Sequence, residues 1–89
     1  MNNKIILQSL SSDLKRVALG LHRGSNSMAE RFIKEAKMRK EEIDISHIDS
    51  YIIKLLDKMG KSFKISDNSK KAEDALMYST LFKNAALKL

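Results

Sequence analysis

From Leu7 the apolar positions recur at spacings of 3, 4, 3 and 4 through Leu10, Leu14 and Val17 to Leu21. That rhythm lays one stripe along a helix, because about 3.6 residues complete a turn, and it predicts a first helix over residues 3–22. Ile6 widens the stripe, whereas Lys4, Asp13, Lys15 and Arg16 are read as lying off it. Gly24 stands where the helix should end, since glycine adopts the left-handed conformation that satisfies the last carbonyls.

A second helix is expected over 27–43, with Met28, Ala29, Phe32, Ile33 and Ala36 as its buried face and Ile43 near its end. "SMAE" has the spacing of a reciprocal cap between Ser27 and Glu30. Its outer side pairs Glu30 with Lys34, Arg31 with Glu35, Glu35 with Arg39 and Lys37 with Glu41, the spacing at which opposite charges meet on a helix in water. A third helix over 46–59 is capped by Asp44 or Ser46, buries Ile48, Ile52, Leu55, Leu56 and Met59, and stops at Gly60. Tyr51 and Ile53 fall on its flank, partly exposed.

Residues 61–67 then read as a linker whose Phe63 and Ile65 both turn inward. Ser66 or Asp67 caps a fourth helix over 68–87. Its stripe is Ala72, Ala75, Leu76, Ser79, Phe82, Ala86 and Leu89, widened by Met77 and Leu81, and its small residues admit a close neighbour. The expected fold is all-α, a small antiparallel four-helix bundle forming a single domain over 1–89.

Composition narrows this picture. With 89 residues the chain can build one small core, and without cysteine no disulfide or thiolate metal site supports it. Close helix packing or self-association must do so, and the apolar surplus leaves a homodimer and a well-filled monomer as alternatives. No apolar run nears the ~20 residues of a membrane span, and "MNNKIILQSL" lacks a signal-peptide pattern, so a cytoplasmic protein without a membrane partner is expected. The net charge of +6 divides into +3 over residues 1–24, zero over 25–60 and +3 over 61–89.

Three places could carry chemistry. In "HRGSNSMAE", His22, Arg23, Ser25 and Ser27 form an anion-binding candidate at a helix start, although the same residues serve as ordinary end signals, the preferred reading. Around Phe63, the lysines Lys61, Lys64, Lys70 and Lys71 form a nucleic-acid candidate, in which lysines neutralise phosphates and the ring stacks on a base. "RVALGLH" sets Arg16 and His22 six apart and resembles the Arg-x(4–6)-His pattern of ribonucleases in the HEPN superfamily of helical domains. That resemblance, over seven residues, implies metal-independent RNA cleavage at a dimer interface. On one unbroken helix the two side chains differ by about 240° in direction, so they cannot cooperate within a chain.

Asp44 and His47, near Glu41, are too few to bind a metal, and no cofactor is expected. The preferred function is a non-enzymatic helical module that binds protein, itself or another. Its contact is expected around Leu7, Leu14, Leu21, Leu81 and Leu89. Nucleic-acid binding is the first alternative and RNA cleavage the second.

Overall fold

The computed structural model describes residues 2–89. Four α-helices follow one another: α1 (Asn3–His22), α2 (Asn26–Glu42), α3 (Ser50–Ser62) and α4 (Asn68–Leu87), with a short 3-10 turn at Ile45–His47. They form a small antiparallel four-helix bundle in which α1 is central, packed between α2 and α4, while α3 rests on α4.

The central place of α1 explains its burial. Leu7, Leu10, Leu14 and Val17 are fully buried as the periodicity predicts, but Ser11, Asp13, Ala18 and Gly20 are buried as well. A helix with partners on two sides buries a wider arc than one stripe, which corrects the placement of Asp13 off the buried face. Leu7 and Leu14 are 0% exposed, and Leu21 and Leu81 are half-buried, so these leucines are core and not contact surface. Of the expected contact leucines, only Leu89 is exposed.

The larger core cluster gathers Ile6, Leu7, Leu10 and Leu14 with Ile52, Leu55, Leu56, Met59 and Phe82. The smaller one joins Val17 and Ala18 to Ala72 and Ala75. On α4 the buried face includes Tyr78 and Ala85, whereas Leu76 and Met77 lie outside. Beside the larger cluster, α1 and α4 come close enough for a reciprocal serine contact. The Ser11 hydroxyl donates to the Ser79 carbonyl and the Ser79 hydroxyl to the Ser11 carbonyl, each at 2.7 Å. Each buried hydroxyl thereby finds an acceptor, which removes the penalty for an unpaired polar group.

Helix ends follow local chemistry with three corrections. Gly24 has φ 72°, as a left-handed helix stop requires, and its amide bonds to the Leu21 carbonyl. The cap of α2 is Ser25, not Ser27: its hydroxyl accepts from the Met28 amide at 3.3 Å, so α2 starts at Asn26 and ends at Glu42. Ser25→Ala is therefore expected to cost about 1 kcal/mol in a urea melt, and Ser27→Ala less than about 0.5 kcal/mol.

The predicted third helix splits. Asp44 caps only the 3-10 turn, and Asp49 starts α3 by accepting from the Tyr51 amide. Gly60 does not stop α3, which continues to Ser62; the buried Ser62 hydroxyl bonds back to the Met59 carbonyl. Asp67 caps α4, accepting from Ser69 and Lys70 amides.

The predicted charge pairs along α2 do not form among the described residues. Arg39 turns inward instead, its Nε 3.7 Å from Asp13 Oδ2, with its Nη1 3.5 Å from Glu42.

Candidate functional site

An exposed hollow runs between α1 and α4, over the Ser11–Ser79 contact, with a volume of about 630 Å³. Gln8, Ser12 and Lys15 form its α1 wall, and Leu76, Lys83 and Leu87 line the α4 side. Its shape follows from the packing: the serines bring two antiparallel helices together, leaving a long shallow valley between their side-chain ridges.

Helical spacing prolongs this valley on α1. Ile5, Gln8, Ser12, Lys15 and Leu19 recur at 3, 4, 3 and 4, a second stripe parallel to the buried one, and all five are exposed. Leu76 is 42% exposed and Leu87 68%. Lys15 and Lys83 are the only charged residues in the lining, with no carboxylate among the described residues there. The surface thus combines two exposed leucines with two lysines and no acid. The periodicity of Ile5 and Leu19 was the available signal for it; the register that sets α4 beside them was not.

The three sequence candidates are placed otherwise. His22 closes α1 and is exposed, Arg23 is its C-cap, and the Ser25 amide donates to the Gly20 carbonyl at 2.8 Å. The Ser25 hydroxyl is directed to the Met28 amide and Ser27 is exposed in the first turn of α2. The geometry is that of a joint between helices.

Arg16 and His22 lie on one unbroken helix. The Arg16 guanidinium stands 5.4 Å from the centre of the Phe32 ring, which Arg31 also approaches at 5.3 Å. Arg16 is therefore engaged on α2 by a cation–π contact and is not brought to His22.

The 61–71 basic cluster is divided. Phe63 packs against the larger core, so its ring is not offered for stacking. Lys61 pairs with Asp57 at 3.2 Å and Lys70 with Asp74 at 3.0 Å. The hydrogen bond it donates to the Asp74 carboxylate holds the Lys70 ammonium above the usual lysine range. Lys64 lines a hollow between α2 and α3, whereas Lys71 lines another with Leu21 and Ile33.

Asp44, Ser46 and His47 do meet, on the exposed 3-10 turn. Ser46 donates to Asp44 at 2.6 Å and His47 Nδ1 lies 2.8 Å from the same carboxylate. Ser46 and then His47 hold the Asp44 carboxyl below its ordinary range. Serine and aspartate both approach Nδ1, so histidine cannot relay a proton from one side to the other as a catalytic triad requires. This cluster caps a turn. Its backbone is tied to α1 by Asn3, which accepts from the Asp44 amide and donates to its carbonyl.

Among the described residues no helix is long and apolar enough to cross a membrane. The chain matches no protein-family model, no curated protein and no solved structure.

Proposed function

We propose that this protein is a helix-binding module whose α1/α4 groove receives an acidic amphipathic helix from another protein. The observation that carries the reading is the lining itself: exposed Leu76 and Leu87 at separate positions along α4, Lys15 and Lys83 among them, and no acid. An incoming helix would lay an apolar stripe along the valley and set glutamates or aspartates against the two lysines. Electrostatic complementarity then favours an acidic partner and speeds its encounter.

The same charges disfavour a second copy on this face. A two-fold dimer presents one patch to itself, which would set lysines against lysines. The preferred partner is therefore a different chain, and self-association is the competing outcome.

The test uses two synthetic amphipathic peptides with the same leucine stripe, one with glutamates and one with lysines on the polar face. The acidic peptide should bind and the basic one should not. Lys15→Glu with Lys83→Glu should weaken the acidic peptide by about tenfold or more, as expected for two facing charges reversed. Equal binding of both peptides, or a dimer in light scattering that these two substitutions disperse, would overturn the reading.

A further inference from the structure

A second groove separates α2 from α3, and its two ends differ in chemistry. One end, of about 510 Å³, is lined by Lys37 and Lys40 from α2 and by Lys61 and Lys64 at the end of α3, over the buried Met59. The other, of about 360 Å³, is walled by Ile45, 64% exposed, and Ile53, 37% exposed, over the buried Ile43 and Leu56. Lys40, Glu41 and Asp57 line both, so the two hollows adjoin along α2 and α3.

Charge at the basic end is unbalanced. Asp57 is taken by Lys61 at 3.2 Å, which leaves Lys37, Lys40 and Lys64 against Glu41 alone. Lys40 reaches across the groove to α3: its ammonium lies 3.2 Å from where a Cβ would stand on Gly60. It is half-buried and has no ion pair among the described residues. A cation in that position attracts an anion strongly, because nearby protein reduces the screening by water.

We infer that the α2/α3 groove binds a single-chain anionic amphiphile, its acyl chain between Ile45 and Ile53 and its carboxylate or phosphate head at Lys40 and Lys64. From Ile53 to Lys61 the groove follows eight residues of α3, about 12 Å at the helical rise, a span suited to a medium-length chain. The site is separate from the α1/α4 groove and does not depend on the reading given for it.

Calorimetric titration of the whole chain with decanoate, decyl phosphate, decanol and decyltrimethylammonium, each kept below its micellar concentration, tests this. Both anions should bind, decanol about tenfold more weakly and the cationic detergent not at all, as expected when a few partly exposed charges contribute about a factor of ten. Lys40→Gln with Lys64→Gln should erase the preference for the anions over decanol, whereas Glu41→Gln should increase it. Ile45→Ser with Ile53→Ser should weaken all binding. All of these positions except the half-buried Lys40 are exposed, and circular dichroism reports whether each variant keeps its helix. Equal affinity for decanol and decanoate, no effect of the two lysine changes, or no binding of either anion would overturn the inference.

Discussion

Arg39→Met is expected to destabilise the protein by about 3 kcal/mol at pH 7 and by much less near pH 4, because it leaves a buried carboxylate without its only nearby ion-pair partner. Asp13 is 6% exposed, and neither its Oδ2 nor Arg39 Nε has a hydrogen-bond partner. At 3.7 Å the pair supplies charge compensation without hydrogen-bond geometry. Burial pushes the Asp13 carboxyl above its ordinary range; Arg39 opposes this, Glu35 adds to it and Arg16 opposes it again.

The sign of the pH dependence follows. A carboxyl whose pKa is higher folded than unfolded takes up a proton more readily in the folded state. Its favourable contribution is complete below the unfolded value and is lost as pH rises through the folded one. Removing Arg39 takes away the largest opposing influence, so the carboxyl rises further and the penalty at neutral pH grows. In acid the proton relieves it.

Asp13→Leu should behave in the opposite way, with a change at pH 7 between zero and about 2 kcal/mol of added stability, since Arg39 keeps Glu42 and part of its hydration. Urea melts of both variants and their double mutant at pH 4 and 7 make the comparison. An Arg39→Met penalty equal at the two pH values would refute the assignment.

Gly20→Ala is expected to cost about 2 kcal/mol, against a helix propensity that by itself favours alanine by about 1 kcal/mol. A Cβ there would stand 2.9 Å from the Ala29 amide nitrogen and 3.3 Å from its Cα, and backbone cannot yield without shifting α2 as a whole. The loss corresponds to a fall in Tm of roughly 10 °C for a domain of this size. Gly60→Ala is the matched control. The only atom its Cβ would meet is the Lys40 ammonium, the end of a flexible chain, so propensity should prevail and stability should rise by up to about 1 kcal/mol. If both substitutions move the melting temperature the same way, close approach of α1 and α2 at Gly20 is not what selects glycine.

Much of the architecture was legible before any tertiary structure. The limits of α1 and α4 agree with their apolar periodicity, and Gly24 and Asp67 act as the end signals they resemble. These are local matters: a glycine's φ or a carboxylate reaching an amide two residues away is set within one turn of chain. Between two serines separated by one residue, the same local reasoning chose Ser27 where Ser25 caps. It also stopped α3 at Gly60, because glycine ends a helix only if the chain turns left-handed there.

The candidate surfaces were legible only in part. Tyr51 and Ile53 were legible as partly exposed flank residues, whereas the stripe through Ile5 and Leu19 was not read from the sequence. That Leu7 and Leu14 are core while Leu76 and Leu87 face solvent depended on which helices cover α1.

The sequence by itself determined that four helices form, roughly where they begin and end, and which faces are apolar, since backbone geometry and side-chain spacing act over a few residues. Tertiary packing alone decided that α1 lies between α2 and α4, that Asp13 is buried opposite Arg39, and that two grooves remain on either side of the core. The reason is physical: burial belongs to a pair of surfaces, and a stripe on one helix does not specify its partner or its register.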